Sequence, residues 1–487
     1  MTGKNLRNKI AIAAGPLLAL FISFCFDLRP GSPQVTYMAG LAVWMATWWF
    51  TEAVSLAVTA FVPFLFMPLL GIADTKSIAQ QYTDSIIFLF IGGFMIAFAI
   101  EKWGLHKRIA LKVLSIVGDK PRNILLGVML STYLISNWIS NTATTMMLLA
   151  AVLALVSELS VHIKEGEKKL AAALLLGLAF SSTIGGMATP VGTPPNMFFF
   201  KEYNKAFPMN HDLNFLTWAK IGFPLSFTFL LLTFFVLNAY FLRRGVSCEI
   251  SKSYFKEGYK KLGKISYEEK VILGIFFSCV LLWFTRENVN FGSFEFKGWK
   301  NFFRSPKYLD DASVAIAAAL LLFIIPSRQG EKHALLVWED AHKIRYDIIL
   351  MFGSGFALAY GFEVSGLSDW LASSLIFFKG VPLLLLIIGI CTVVTIISEF
   401  ASNIASIQLC IPIMIAIQKD LNVHPLLLMI PATFAASLGF ILPVATASNT
   451  IAYGTKLIDV KDMLRVGFVL DVIGITLISI FVYFYLA

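Results

Sequence analysis

The stretch PVGTPPN at residues 190–196 decides the fold of this chain, because it places a polar segment broken by glycine and proline inside a hydrophobic sequence. A second copy, PVATASN, occurs 253 positions later at residues 443–449. Two further pairs share an offset of 262 positions: FIGGF at 90–94 with FGSGF at 352–356, and Ser140-Asn141 with Ser402-Asn403. Paired, Gly/Pro-interrupted segments in the two halves of an apolar chain are typical of secondary transporters built from two structural repeats.

The composition excludes an ordinary soluble protein. Of the 487 residues, 57% are hydrophobic and 14% are charged, whereas soluble proteins carry roughly 25% charged residues. Mean hydropathy is +0.76. The sequence therefore predicts an all-α polytopic membrane protein embedded in a lipid bilayer. Its net charge of +9 lies in the loops, where Lys and Arg meet anionic lipid, and does not indicate a nucleic-acid partner.

Neither the cysteines nor the N-terminus indicates a metal centre or a cleaved leader. The five cysteines lie mostly inside apolar runs and show no paired spacing, so we interpret them as packing residues. The first apolar run, 10–26, follows three basic residues and lacks a small-residue cleavage site. We therefore predict that it is a signal anchor and the first helix.

Apolar runs long enough to cross roughly 30 Å of hydrocarbon predict about 11 transmembrane helices plus two re-entrant hairpins. The single spans are 10–26, 36–50, 53–72, 85–100, 221–242, 271–285, 312–325, 347–362 and 466–486. Segments 123–157 and 380–418 carry the Ser-Asn pairs near their middle, so we predict a hairpin in each. Segments 170–200 and 423–454 carry the Gly/Pro-rich stretches, so we predict that each is a helix broken near mid-membrane. Non-helical backbone at that depth is tolerated only where protein or a water-filled cavity surrounds it.

These segments divide the chain into four parts. They are an N-terminal segment with the first helix (1–35), a first repeat (36–242), a basic cytoplasmic linker (243–270) and a second repeat (271–487). A cytoplasmic N-terminus places most Lys and Arg on the inner side, which the positive-inside rule favours, and the C-terminus then lies outside. An odd number of crossings separates the two copies, which predicts an inverted repeat. Segment 103–118 has one apolar face and predicts a helix in the cytoplasmic interface.

The motif SNWISNTATT at residues 136–145 offers an anion site and a cation site side by side. Ser, Thr and Asn are good N-caps, so the second hairpin arm begins here with free N–H groups and a positive dipole end that suit a carboxylate. The oxygens of Ser136 and Asn141, with nearby carbonyls, are hard ligands that suit Na⁺. Thr193 and the broken backbone around it supply an opposite wall. Polar residues that only hold helices together are the alternative, but four motifs in two matched pairs favour a site.

The predicted core segments carry no fixed positive charge. No Lys or Arg occurs in 123–163, 170–200, 380–418 or 423–455. A dianion that crosses there needs accompanying cations, because uncompensated charge is costly inside a low-dielectric protein. This predicts coupling to Na⁺ or H⁺. Glu399 is a candidate proton carrier, although we favour the alternative that it is a structural partner of polar groups in its hairpin.

These motifs resemble the divalent anion:sodium symporters, the family of INDY-type dicarboxylate and citrate carriers. The resemblance rests on SNTAT at 140–144, VGTPPN at 191–196, EFASN at 399–403 and LPVAT at 442–446. It implies a homodimer in which a fixed scaffold supports a transport domain that moves like an elevator. It also implies two sodium sites that flank one substrate site.

The resemblance places the family's functional positions on particular residues of this sequence. The first sodium site is expected at Ser136, Ser140, Asn141 and Gly192. The second is expected at Ser398, Ala401, Asn403 and Ala445, partly through backbone carbonyls. The substrate carboxylates are expected to contact Ser140, Asn141, Thr142, Thr193, Pro194, Ser402, Asn403 and Thr446.

Two departures from the family pattern bear on the ligand. The second Ser-Asn motif continues with Ile404, so the hydroxyl expected at its third position is replaced by an apolar side chain. The second broken stretch has Ala447 and Ser448 where a Pro-Pro pair is usual. We expect one carboxylate to lose a donor and the second loop to be more flexible.

The sequence thus predicts a carrier and not an enzyme. The histidines fall in loops or at segment ends, and no pair of a nucleophile and a base lies within the spans. Our leading prediction is a Na⁺-coupled importer of C4-dicarboxylates (succinate, malate, fumarate) in the inner, cytoplasmic membrane. A sodium-independent dicarboxylate exchanger, a citrate or sulfate carrier of the same fold, and a passive anion channel are the alternatives.

Overall fold

The computed structural model describes most of the chain. The described residues are 2–51, 53–117, 120–162, 167–208, 213–242, 253–290, 295–329, 334–344, 346–374, 380–421 and 423–486. Within them, α-helices dominate, and the one pair of strands is β1 (Val289–Asn290) antiparallel to β2 (Glu295–Phe296). The prediction of a helical fold is confirmed, apart from this short ladder.

The first half of the described chain contains twelve of the α-helices. They are α1 (Thr2–Cys25), α2 (Pro33–Thr51), α3 (Leu56–Thr59), α4 (Val62–Leu69), α5 (Thr75–Gln81), α6 (Ser85–Lys102), α7 (Leu105–Val117), α8 (Pro121–Ser136), α9 (Asn141–His162), α10 (Glu167–Gly186), α11 (Pro194–Ala206) and α12 (Phe215–Leu237). A π-helical turn at Asn238–Leu242 continues α12.

The second half contains ten more α-helices and three short 3₁₀ turns. The helices are α13 (Ser253–Lys261), α14 (Tyr267–Phe284), α15 (Asp311–Ile324), α16 (Tyr346–Ser365), α17 (Leu367–Ser374), α18 (Leu383–Phe400), α19 (Asn403–Leu421), α20 (Leu426–Ala435), α21 (Ala447–Tyr453) and α22 (Val460–Leu486). The 3₁₀ turns are Trp299–Phe302, Pro306–Tyr308 and Trp338–Lys343.

Several of these helices are apolar and long enough to cross a membrane. By length and composition, six described segments qualify: Thr75–Lys102, Glu167–Gly186, Phe215–Leu242, Tyr346–Ser365, Leu383–Phe400 and Val460–Leu486. Large apolar side chains such as Phe24, Phe235 and Phe484 are exposed on the outer helices, as expected where a protein faces lipid tails. The predicted total of about 11 crossings remains a prediction.

The prediction of one continuous helix across 53–72 is wrong. The structure divides it into α3 and α4, which meet at Ala60 and Phe61. Ser55 caps α3, and Pro63 lies in the first turn of α4. Proline lacks the N–H that would continue the helix and is tolerated in a first turn, so a new helix begins here.

Each of the four polar segments is interrupted where the sequence predicted. The Ser-Asn motifs form the turns at 137–140, between α8 and α9, and at 401–402, between α18 and α19. The Gly/Pro-rich stretches leave the helix at 187–193 and at 436–446. The arms α10 and α20 that lead into these breaks are almost completely buried. Two polar turns and two unwound stretches therefore lie inside a helical bundle.

The basic region after α12 packs back onto the bundle. Residues 243–252 of the predicted linker 243–270 lie outside the described residues, and the rest contains α13, which contacts α7. Arg108 of α7 holds the Glu269 carboxylate through two hydrogen bonds of 2.7 and 3.0 Å. It also donates to the carbonyl of Gly263. The predicted helix at 103–118 is confirmed as α7, and its place in the membrane interface remains a prediction.

Replacing Gly92 with Ala should destabilise the protein, whereas the neighbouring Gly93→Ala should not. A Cβ at Gly92 would lie 2.7 Å from the carbonyl carbon of Ala315, so α6 and α15 would have to separate at a cost of about 1–3 kcal/mol. A Cβ at Gly93 meets nothing within 4 Å and improves helix propensity. The measurement is the melting temperature of each purified variant in detergent. Equal values for both would contradict this packing.

Candidate functional site

The two hairpin turns and the two unwound stretches surround one cavity of about 160 Å³. All eight residues predicted to bind substrate line it: Ser140, Asn141, Thr142, Thr193, Pro194, Ser402, Asn403 and Thr446. They come from four separate regions of the chain that the fold brings to one place. The structure therefore joins the four motifs into a single candidate site.

The first hairpin turn is held by a serine at the end of α8. The buried Ser136 hydroxyl donates to the carbonyl of Ser182 in α10 at 2.6 Å and lies 3.1 Å from Asn141 Oδ1. Asn141 is the first residue of α9, so this contact fixes both hairpin arms relative to α10. Further along α9, the Thr145 hydroxyl donates to the carbonyl of Asn141 at 2.9 Å.

The second hairpin turn repeats this arrangement. The buried Ser398 hydroxyl donates to the carbonyl of Ala436 in the second unwound stretch at 2.7 Å and lies 3.1 Å from Asn403 Oδ1. Ser398 and Asn403 lie 262 positions after the pair of the first turn, and the Ser–Asn distance is the same. The sequence repeat thus corresponds to a repeated set of contacts.

The two unwound stretches are braced by a repeated asparagine. Asn196 Nδ2 donates to the carbonyls of Gly186 and Thr189 at 3.1 and 2.8 Å. Asn449, 253 positions later, donates to the carbonyls of Gly439 and Leu442 at 2.8 and 3.2 Å. Both Asn residues are fully buried, and the Oδ1 of each has no hydrogen-bond partner. The helix that follows each stretch therefore carries a buried, unpaired amide oxygen close to the carbonyls that its Asn satisfies.

Gly192 allows a close backbone approach in the first stretch. A Cβ there would lie 2.7 Å from the carbonyl oxygen of Gly186 and 2.9 Å from that of Asn137. Only glycine fits between these oxygens without moving them. The corresponding residue in the second stretch is Ala445, whose methyl group is accommodated at the cavity wall.

A chain of hydroxyls joins the two halves behind the cavity. Ser182 Oγ lies 2.9 Å from the Oγ1 of Thr145 and 2.9 Å from the Oγ of Ser448 in α21. Ser182 is not among the residues predicted to form the site. Its signal is the run Ser181-Ser182-Thr183 near the end of the apolar part of α10, while Ser448 occupies the position that Pro195 has in the first copy.

The residues predicted to bind sodium fall into two layers. Ser140, Asn141, Asn403 and Ala445 line the cavity. Ser136, Ser398 and Ala401 are buried directly behind the hairpin turns, and Gly192 faces a small adjoining cavity with Ser140. Hydroxyl, amide and backbone carbonyl oxygens dominate this donor set, which matches the preference of a hard cation. The residues present thus fit sodium ions on both sides of the cavity.

The electrostatics of the cavity favour an anion only weakly. The helices α9, α11 and α19 begin at its wall, and their N-termini point positive dipole ends toward it. The lining has no Lys or Arg, and its one carboxylate is Asp347. Thr193 begins α11 without a side-chain cap bond, whereas the Thr446 hydroxyl accepts from Asn449 N. The Thr193 hydroxyl is therefore free to turn toward a ligand.

The opposite wall of the cavity was missed by the sequence analysis. It consists of Leu56 from α3 and of Asp347, Ile348 and Met351 from α16. Leu56 lies far in sequence from the four polar motifs, and the three residues of α16 lie just before the repeated stretch 352–356, which was not predicted to face the site. The cavity is therefore polar on the side of the motifs and largely apolar on this side.

Glu399 has a structural role in this arrangement. Its two carboxylate oxygens accept hydrogen bonds from the backbone N–H groups of Ile441 and Leu442, each at 2.9 Å. These N–H groups belong to the second unwound stretch and would otherwise be unpaired inside the bundle. The contacts support the structural interpretation of Glu399 over the proton carrier.

Substituting Glu399 with Gln should lower stability without removing pH dependence. Glutamine keeps only one acceptor oxygen, so one backbone N–H of the second stretch loses its partner, at a cost of about 1–3 kcal/mol. We expect a lower melting temperature and an unchanged shape of the uptake curve across a pH series. Glu257→Gln, at an exposed site on α13, is the control. A flat pH curve in Glu399→Gln alone would favour the proton carrier.

A solved structure shares the fold of this chain. It belongs to MtrF of Neisseria gonorrhoeae, whose report describes a class of antimetabolite efflux pumps. The TM-score is 0.56 at 14% sequence identity, over 84% of this chain and 83% of that one. At this identity the likeness shows a common fold and says nothing about the cargo.

Two curated relatives match along almost the full length. The sodium-dependent dicarboxylate transporter SdcS of Staphylococcus saprophyticus is 34% identical, over 99% of this chain and 92% of its own length. The protein of the same name from Staphylococcus aureus strain NCTC 8325 is 35% identical, over 98% and 90%. The family model described as the sodium:sulfate symporter transmembrane region matches residues 13–486. The chain with this four-part polar site therefore belongs to the sodium:sulfate symporter family, which confirms the resemblance found in its motifs.

Proposed function

We propose that this chain is a secondary active transporter that imports C4-dicarboxylates, such as succinate, malate and fumarate, together with sodium ions. The observation that carries the proposal is the convergence of Ser140-Asn141 and Ser402-Asn403 on one cavity. Each pair presents hydroxyl and amide donors at the start of a helix, where the dipole favours a carboxylate. Two such ends facing one cavity suit a ligand with a carboxylate at each end.

Sodium is supported as the coupling ion by the relatives and by the donor set. SdcS is named as sodium-dependent. In this chain, each Ser–Asn contact combines hydroxyl and amide oxygens. A buried, unpaired Asn oxygen also lies in the first turn of the helix after each unwound stretch, from Asn196 and Asn449. No ammonium or guanidinium group lines the cavity to balance a dianion. Cations that travel with the substrate would supply that balance.

The substrate class is supported by the names of the relatives and by the shape of the lining. The curated relatives are dicarboxylate transporters by name, whereas the family description names sulfate. Ile404 lines the cavity at the position where the first motif has Thr142, so its apolar surface suits the carbon backbone of a small diacid. A citrate or sulfate carrier and a sodium-independent exchanger of dicarboxylates remain the rival functions.

We further propose an elevator mechanism within a homodimer. The inverted repeats 36–242 and 271–487 would supply the two hairpins and the two broken helices of a moving unit, with the N-terminus cytoplasmic and the C-terminus outside in the cytoplasmic membrane. α11 contacts α16 through Phe198, which stacks on Phe356 at 5.2 Å between ring centroids. Lys205 of α11 pairs with Glu363 of α16 at 3.2 Å. These contacts would break when α11 moves past α16.

A substrate panel in proteoliposomes tests the function. We expect labelled succinate to accumulate when an inward sodium gradient is imposed and not with potassium, since the cavity has no cation of its own. Excess unlabelled malate or fumarate should compete, and citrate or sulfate should compete poorly. Succinate uptake that ignores sodium but needs internal dicarboxylate would establish the exchanger instead.

Substituting Asn141 or Asn403 with Ala should abolish uptake, because each removes the amide that faces the cavity and contacts a buried serine. We expect uptake to fall by about 100-fold or more, the effect of losing contacts worth about 2.7 kcal/mol. Asn204→Ala, at an exposed site on α11, is the matched control. Uptake, expression level and melting temperature are measured together. Normal uptake by either cavity variant would contradict the proposed site.

A further inference from the structure

An apolar cleft lies between α7 and the two arms of the first hairpin. Its volume is about 180 Å³, and its lining comes from α7, α8 and α9. Leu111 and Leu114 of α7 line it together with Leu148 and Leu155 of α9. It shares no lining residue with the candidate substrate cavity. The cleft is therefore a separate feature of the molecule.

The polar groups in the cleft already have partners. Its described lining contains two hydroxyls and no charged side chain. Ser131 Oγ donates to the carbonyl of Gly127, and Thr132 Oγ1 donates to that of Val128, each at 2.7 Å. An apolar space of this size stays dry and takes up hydrocarbon. The interior of the cleft therefore suits an acyl chain and offers no ligand to an ion.

The cleft opens at two small residues of α9. Ala151 and Ala154 line it and are exposed. Large apolar side chains are exposed on the same two helices, with Ile116 of α7 at 71% and Met146 of α9 at 58%. In a membrane protein, an apolar surface of this kind faces lipid tails. A lipid chain can therefore reach the cleft from this side.

An exposed lysine of α7 lies at one end of the apolar lining. Lys107 precedes Leu111 by four residues and Leu114 by seven, so the three side chains share one face of the helix. Lys107 forms no ion pair with a described residue. Its ammonium group is therefore available to an anionic partner beside the cleft.

α13 adds positive charge next to the same part of α7. A Cβ at Gly258 would lie 3.5 Å from the side chain of Leu111, and Lys112 Nζ lies 5.3 Å from the ring centre of Tyr259. The other charged residues of α13, all exposed, are Lys256, Glu257, Lys260 and Lys261. The two packed helices thus present an excess of exposed positive charge beside an apolar cleft.

We propose that this cleft binds an anionic phospholipid, with one acyl chain between α7 and the hairpin arms and the headgroup phosphate at Lys107 and the lysines of α13. The combination of apolar lining and positive charge selects this occupant. A neutral lipid gains nothing from the lysines, and a soluble anion gains nothing from the cleft. Clusters of basic residues on amphipathic helices at a membrane surface are typical of sites for anionic lipids.

The cleft is connected to the candidate substrate site through the hairpin. α8 and α9 are the arms that meet at the turn before Asn141, and Ser140 and Asn141 line the substrate cavity. A lipid in the cleft would contact both arms and α7, and would tie the hairpin to the bilayer. This inference does not depend on which solute the protein carries.

Native mass spectrometry of the purified full-length protein in detergent tests the charged part of the site. It reads both the bound lipids and the number of chains during titration with phosphatidylglycerol or phosphatidylcholine. We expect the wild type to retain phosphatidylglycerol more tightly than phosphatidylcholine. Lys107→Gln should weaken phosphatidylglycerol about fivefold, as for one lysine worth about 1 kcal/mol, and leave phosphatidylcholine unchanged. Lys461→Gln, at an exposed position of α22, is the matched control.

Two neighbouring alanines of α9 test the apolar part. Ala151→Phe places a ring in the mouth of the cleft and should weaken the binding of both lipids. Ala150→Phe adds the same ring at the preceding exposed position, outside the lining, and should weaken neither. Both positions are exposed, so neither change should prevent folding.

Several outcomes would overturn the proposal. They include equal retention of the two lipids by the wild type and unchanged phosphatidylglycerol binding in Lys107→Gln or Ala151→Phe. Displacement of phosphatidylglycerol by inorganic phosphate would assign the lysines to a soluble anion. Conversion of a dimer to single chains by Ala151→Phe would assign the cleft to a second copy of this chain. If Lys107→Gln does not fold, Lys260→Gln takes its place, with the same selective weakening expected and its absence contradicting the site.

Discussion

Unwound backbone inside an apolar bundle is the constraint on which this structure depends. Every N–H and C=O group in 187–193 and 436–446 must find a partner, because neither lipid nor hydrocarbon side chains can supply one. Asn196 donates to the carbonyl of Thr189 and to that of Gly186 at the end of α10, and Asn449 donates to the carbonyls of Gly439 and Leu442. Glu399 accepts two N–H groups. The polar residues that appear first as a binding motif are therefore also what makes the broken helices stable.

The two halves meet this constraint with the same Ser–Asn contacts, but they differ at other positions around the cavity. Ser136 and Ser398 play equal roles, as do Asn141 and Asn403. The first stretch also contains Gly192, at a position with no room for a side chain. At the substrate cavity this asymmetry leaves a hydroxyl on one side, from Thr142, and an apolar side chain on the other. A substrate held there meets two different ends.

The groups suited to bind an anion and the charged side chains lie in different places along α11. The substrate cavity offers helix N-termini, hydroxyls and amides, and it has no basic side chain. The charged residues of α11 lie further along the helix, where Lys201 lies over the ring of Phe356 and Lys205 pairs with Glu363. Because no Lys or Arg lines the proposed substrate cavity, mobile ions would have to balance the charge of a dianion bound there. This favours a carrier whose affinity for the anion depends on cations already bound.

The helical membrane fold, the interruption at each polar motif and the residues facing the cavity could be predicted from sequence, since glycine, proline and N-capping side chains act on the backbone locally and the motifs recur at a fixed spacing. The break of span 53–72, the Ser182–Ser448 contact and the wall formed by Leu56 and Met351 could not. They depend on which helices become neighbours, and packing between distant segments leaves no mark in a local pattern. The same holds for Glu202: the residue is visible in the sequence, but only the tertiary structure buries it and leaves its Oε1 without a hydrogen-bond partner.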